Sequence, residues 1–271
     1  MSLCSAQTAS VPPGSEALSA QAIMERVAAN QDRAEAQRKE FVYKQHIHIL
    51  THKPGGRLMR EETADYDVAP TPDGTQKNLK SLTGKYWSKG KYLTFEGEPA
   101  PEADSLDGGM IRNFRDDLAD EKSKDGLGKD LFPLTTEEQK EYDFQLLGQE
   151  TQDGRSVYHI GFGPKDKHDI TWAGEAYIDA AEFEPVRVFT KLSRRIPLAV
   201  RTLLGTDVPG VGFNVVYKRQ EDGVWFPATF GTEFRIRALF FINRQISVSL
   251  ENSVFERTHV KSTMTVVGPV D

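Results

Sequence analysis

Between Gly223 and Phe255 the sequence holds two long runs in which apolar and polar residues alternate, with a short break between them. In the first run Phe226, Ala228, Phe230, Thr232, Phe234, Ile236, Ala238 and Phe240 take every second position, and Thr229, Glu233, Arg235 and Arg237 lie between them. In the second, Ile246, Val248, Leu250 and Val254 alternate with Gln245, Ser247, Ser249, Glu251 and Ser253. Successive side chains on a strand point to opposite faces, so each run has one oily and one wet face. At about 3.3 Å per residue the first strand would span roughly 50 Å, far more than the usual strand of about six residues. Pro227 and Gly231 are places for a local bend. Strands this long suit a broad curved antiparallel sheet or an open, unclosed barrel. The aromatic face of such a sheet must be covered by helices, a partner or an apolar ligand.

The remainder of the chain fits a meander of hairpins with a leading helix. Ser19 to Glu40 reads as a helix capped by Ser19, with Ile23, Met24, Val27 and Ala28 as its apolar stripe. Phe41 to His52 alternates as a strand, a Pro54-Gly55-Gly56 turn follows, and Leu58 to Val68 reads as a more polar strand. Leu79 to Leu93 reads as one or two strands broken around Gly84 and Gly90. Further strands are expected over Tyr142–Gln149, Ser156–Phe162, Gly174–Asp179, Pro185–Ser193 and Val211–Tyr217, with turns at Asp153-Gly154, Gly163-Pro164 and Asp222-Gly223. Ile196 to Leu204 reads as a short buried helix. Strands and helices do not alternate, which argues against a parallel α/β fold.

Glu96 to Glu141 breaks the rhythm. It carries Pro99, Pro101 and Pro133, a charge-dense stretch from Arg115 to Lys129, and Ile111, Phe114 and Leu118 at helical spacing. A segment this long with so little strand pattern reads as an insertion, either a lid or a partner-binding excursion. Leu131, Phe132 and Leu134 read as its anchor on the body. Residues 1–18 read as a disordered tail, and residues 19–271 as a single β domain with the insertion at about 96–141.

Charge narrows the function. The chain has 40 acidic against 34 basic residues among 271, a formal charge of −6, which argues against a nucleic-acid partner. No apolar run approaches the roughly 20 residues of a membrane span. The single cysteine, Cys4, leaves no internal disulfide to form. Met1 to Ser10 shows neither the basic nor the apolar region of a signal peptide, and Cys4-Ser5-Ala6 is compatible with the remnant of a signal-peptidase site. Lipid modification at Cys4 is disfavoured by the bulk of Leu3.

Motifs for chemistry are weak. His46, His48 and His52 share one face of a strand, but no cysteine or carboxylate pair stands beside them in sequence, so a solvated sheet face is the simpler reading and no metal site is assigned. The acidic runs Glu61, Glu62, Asp65, Asp67 and Asp116, Asp117, Asp120, Glu121 lack apolar flanks that would drive their pKa values apart, and read as solvated faces. Gly161-Phe162-Gly163 lacks the rest of a nucleotide loop, and no nucleophile elbow, phosphate loop or zinc helix is present. Arg235 and Arg237, with Arg194 and Arg195, would make a basic patch able to touch lipid head groups; pairing with carboxylates such as Glu251 is the plainer expectation. No cofactor and no enzymatic activity are assigned. The aromatic face is the stronger candidate: Trp172, Phe213, Tyr217, Phe226, Phe230, Phe234, Ile236 and Phe240 would line an apolar cavity under the sheet.

Trp172-Ala173-Gly174-Glu175-Ala176-Tyr177-Ile178-Asp179, followed by Phe183-Glu184-Pro185-Val186-Arg187-Val188, resembles a strand-turn-strand signature of LolA-like outer-membrane lipoprotein-sorting proteins. The leading helix that feeds into Tyr43–Ile49 fits as well. The resemblance covers roughly residues 19–95 and 142–260. It implies an unclosed antiparallel barrel covered on its concave side by helices, and a periplasmic carrier for a lipid or lipoprotein acyl chain, exported with its signal removed. A structural or interaction module of the cell envelope, with a sealed core and a protein partner on the 96–141 segment, is the alternative. The chain departs from the simple carriers in that insertion, and no counterpart is found for the arginine that holds their closed state.

Overall fold

The computed structural model describes residues 18–71, 74–99, 106–119, 133–168, 171–193, 206–207, 211–238 and 242–258. The expected tail up to residue 17, Cys4, Arg194 and Arg195, the helix expected over 196–204, Leu131, Phe132 and Phe240 lie outside these residues. In chain order the elements are α1 (Ala20–Arg38), β1 (Phe41–His52), β2 (Leu58–Thr71), β3 (Gly74–Ser88), β4 (Lys91–Glu96), α2 (Leu106–Ala119), β5 (Tyr142–Gln152), β6 (Arg155–Pro164), β7 (Trp172–Asp179), β8 (Pro185–Leu192), β9 (Thr206–Asp207), β10 (Gly212–Arg219), β11 (Trp225–Ala238) and β12 (Ile242–Arg257).

The described strands form one antiparallel sheet in the order β4-β3-β2-β1-β12-β11-β10-β8-β7-β6-β5, with the short β9 pairing to β11. The order does not close on itself, so the architecture is the mainly antiparallel, open sheet with covering helices that the alternation implies. The two long runs become β11, at 14 residues, and β12, at 16. At about 3.3 Å per residue β11 extends roughly 46 Å. β12 sits in the middle of the sheet because it also pairs with β1, from Phe41↔Arg257 to His52↔Gln245.

Two-residue turns make two of the hairpins. Asp153-Gly154 joins β5 to β6 and Lys89-Gly90 joins β3 to β4, with positive φ at all four residues, the geometry that matches strand twist. The break expected at Gly84 does not occur. Gly84 stays inside β3, and a Cβ there would lie 2.4 Å from the Phe95 ring, which folds across it. Gly174 is required for a similar reason: a Cβ would stand 1.8 Å from the Phe189 carbonyl oxygen of the neighbouring strand.

Helix α1 begins where Ser19 Oγ accepts from the Ala22 N–H at 3.1 Å. Its apolar stripe buries Ile23, Met24 and Val27 in the same core as Ile47 and Ile49 of β1, Ala64 and Val68 of β2, and Ile246 and Leu250 of β12. Ile111 of α2 enters that core too. Both helices therefore cover one face of the sheet, here the inner face. α1 packs nearest β5, and α2 lies over β1 and β2. Each fully buried aliphatic side chain contributes about 1.5–3 kcal/mol, so this layer dominates the stability of the sheet.

Candidate ligand-binding face

The inner face of β11 is not read from parity alone. Val216 of β10 lies opposite Thr229, but its neighbour Tyr217 lies opposite Pro227, so Ala228 is an extra residue. One extra residue reverses which side chains face inward. Phe230 and Phe234 belong to the main core, whereas on the other side of the bulge it is Trp225 that joins them. Phe226 packs in a separate cluster with Phe41 and Val224, its ring 4.9 Å from Phe41 and 4.5 Å from Phe255. The same cluster is shaped by a second irregularity, where Val254 of β12 has φ 52° and pairing with β1 slips between Val42 and Lys44.

The remaining aromatics fall into two groups. Phe213 bridges Trp172, at 4.8 Å between ring centres, and Phe230, at 5.1 Å. Phe234 meets Phe114 of α2 edge-on at 5.4 Å. Phe230, Phe234 and Tyr217 are buried, while Phe213 and Ile236 are half-buried and pack against the core, and the half-buried Trp172 packs on Phe213. The Trp172–Phe213–Phe230 strip lies on β7, β10 and β11, between the parts of the sheet nearest α1 and α2. Two clefts bounded by described residues, of about 550 and about 330 Å³, both open on the outer face instead. Their walls include Glu61 and Thr63 of β2 with Lys85 of β3 in one, and Val42 and Lys44 of β1 with Asp67 of β2 in the other, and those of β1 and β2 alternate with the buried residues.

The polar groups divide differently from the expectation that the acidic run Glu61–Asp67 is one solvated face. Glu61, Asp65 and Asp67 do point outward. Glu61 takes hydrogen bonds from His48 (2.9 Å) and Lys85 (2.6 Å), and Asp65 is bonded to Ser81 and His46. Their pKa values are lowered, that of Glu61 chiefly by the Lys85 hydrogen bond and that of Asp65 by Ser81. His159 pairs with Glu175 at 2.8 Å on another part of the sheet. Each of these histidine–carboxylate pairs is at least partly exposed, and among the described residues no group of three or more His, Cys, Asp or Glu gathers as a metal site. Arg235 and Arg237 stand opposite Gln245 and Asn243, while Glu251 is opposite Thr229, so the expected Arg–Glu251 pairing is absent from the register.

Glu62 instead points inward and is 2% exposed. One carboxylate oxygen accepts from Arg60 Nη2 at 3.0 Å, and the other from Arg115 Nη1 of α2 at 2.7 Å. Arg115 also donates to Glu98 at 2.6 Å. The buried Tyr66 nearby has its pKa pushed up to about 12 by burial. At the other end of α2, Arg244 of β12 holds Asp107 through two bonds of 2.6 and 3.0 Å. Sequence reading missed this layer. The signal was present: Arg60 and Glu62 share parity with Ala64, Tyr66 and Val68, the buried side of β2.

A third polar group ties α1 to the β7–β8 turn. Gln31 Nε2 donates to Glu184 at 2.5 Å, Asn30 donates to the Glu182 and Phe183 carbonyls, and Arg38 donates to the Trp225 carbonyl. Burial pushes the Glu184 pKa up to about 7, against the opposing pull of Arg38 and Gln31.

No known protein-family profile matches the sequence, and no curated protein matches it. Solved structures similar to the chain include a DUF1329 family protein from Desulfovibrio piger, 11% identical, with a TM-score of 0.39 over 90% of this chain and 95% of that one. A LolA superfamily protein from Nitrosomonas europaea is 12% identical, with a TM-score of 0.36 over 90% and 96%. A domain from Vibrio parahaemolyticus assigned to outer membrane lipoprotein sorting is 15% identical, with a TM-score of 0.39 over 88% and 95%.

Proposed function

We propose that this protein is a cell-envelope carrier or receptor that holds an acyl chain against the inner face of its sheet. The observation that supports this reading is the half-buried Trp172–Phe213 pair backed by the buried Phe230, between the regions nearest the two helices. Large aromatic rings left partly uncovered next to a continuous core are the usual lining of an apolar ligand site. The chemistry required to hold the acyl chain on this face is shape and apolar contact, so no side chain is assigned a catalytic role.

Native mass spectrometry of the protein purified from cells should find an acyl-bearing molecule retained, and an apolar fluorescent probe should be displaced by added lipid. Phe213→Glu should weaken probe binding at least tenfold. Phe189→Glu, at an exposed position on β8, should leave it unchanged. Absence of both retained lipid and probe binding would remove the proposal.

A sealed interaction module is the second reading. It is favoured by the burial of Phe230, Phe234 and Tyr217 and by the two clefts lying on the outer face. On that reading an affinity-captured partner should be lost when residues 120–132 are replaced by a short linker, a change that keeps α2 and its buried partners, with the folded core unchanged by circular dichroism.

A further inference from the structure

Among the described residues, the layer under α2 holds more positive than negative charge. Arg60 and Arg115 are both buried, at 2% and 5% exposure, and Glu62 is the single buried carboxylate described between them. The other acidic groups on Arg115, Glu98 and Asp116, have side chains 57% and 62% exposed, where water screens them. Of the three Arg60 nitrogens, Nη2 is spent on Glu62, while Nε and Nη1 are enclosed and have no hydrogen-bond partner among the described residues. Thr51, directly opposite Arg60 on β1, has an enclosed hydroxyl in the same condition. Buried guanidinium donors are costly to leave unmade, and the groups that meet them best are oxyanions.

We infer that Arg60 receives an oxyanion head group, carboxylate or phosphate, from the ligand whose chain occupies the inner face. The inference rests on the acyl-binding reading above and names the ligand class: an anionic amphiphile. The register supplies the path. Arg60 faces Thr51, Thr51 faces Ile246, and Ile246 faces Phe234, all on the inner face. Three strand spacings at about 4.8 Å each make roughly 14 Å, a distance that an extended fatty acyl chain spans. The Phe95 ring covers the guanidinium at 4.8 Å from the short edge strand β4, the Tyr86 ring lies 5.9 Å from it, and α2 lies over β1 and β2, so entry requires these groups to move aside.

The test is titration calorimetry of the full chain with three probes: myristate, tetradecanol and inorganic phosphate. Myristate should bind at least tenfold tighter than tetradecanol, and Arg60→Met should abolish that difference while keeping tetradecanol binding. In the unmodified protein, NMR of bound [1-13C]myristate should show its carboxyl titrating below the ordinary fatty-acid range, a readout that does not depend on the variant folding. Equal binding of acid and alcohol, with an unshifted carboxyl, would overturn the oxyanion site and leave the acyl-binding reading standing. Arg60-dependent binding of phosphate with neither amphiphile bound would support the site, with a free anion as its source, and remove the acyl reading. Binding of none of the three would remove both.

Discussion

A carboxyl group shielded from water gives up its proton late, and Glu184 turns this into a pH dependence of stability. Its folded pKa is about 7 against an ordinary 4.5, chiefly through burial. Between those values the folded protein keeps a proton that the unfolded chain has lost, so stability falls as pH rises from about 4.5 to about 7 and is flat above. Glu184→Gln should flatten that slope and raise the unfolding free energy from urea titration at pH 8 above that of the unmodified protein, by up to about 3 kcal/mol before solvent screening. An unchanged difference between midpoints at pH 5 and pH 8 would count against this assignment. Glu62→Ala leaves Arg60 and Arg115 buried without their shared carboxylate, and should cost about 3–5 kcal/mol in chemical denaturation.

At the level of elements, α2 is held by charge at both ends, through Asp107–Arg244 and Arg115–Glu62, with Ile111 and Phe114 packed between. Asp107→Ala should cost roughly 2 kcal/mol. Hydrogen exchange should then accelerate in α2 before it does in β1 or β12. The strands and α1 were legible from alternation, turn residues and the Ser19 cap, because these signals are local. The helix inside the insertion was visible in the spacing of Ile111, Phe114 and Leu118. What pins that helix was not, since Arg115 finds Glu62 53 positions away and Asp107 finds Arg244 137 positions away. Nor was the swap of Trp225 for Phe226. A bulge is defined by the partner strand, and Pro227 beside it signals only that the ladder is interrupted.

For the molecule as a whole, the sheet consists of two meanders, β4 to β1 and β11 to β5, and β12 lies between them with β1 on one edge and β11 on the other. Loss of β12 should therefore separate the two. A chain ending at residue 241 should lose the single cooperative unfolding transition of the full-length protein and expose apolar surface to a dye such as ANS. A truncated chain that still melts in one sharp step would show that β1 and β11 hold together by other means.

The β1–β12 seam also has a consequence in time. A nascent chain emerging from the ribosome presents β1 early, and its neighbour some two hundred residues later. Until translation reaches that point, a long ribbon edge with buried-side residues such as Ile47 and Ile49 has nowhere native to go. Pairings of such long range close slowly and leave newborn chains vulnerable to clumping. This protein should therefore depend on a holding chaperone during synthesis more than a bundle of local hairpins of equal size.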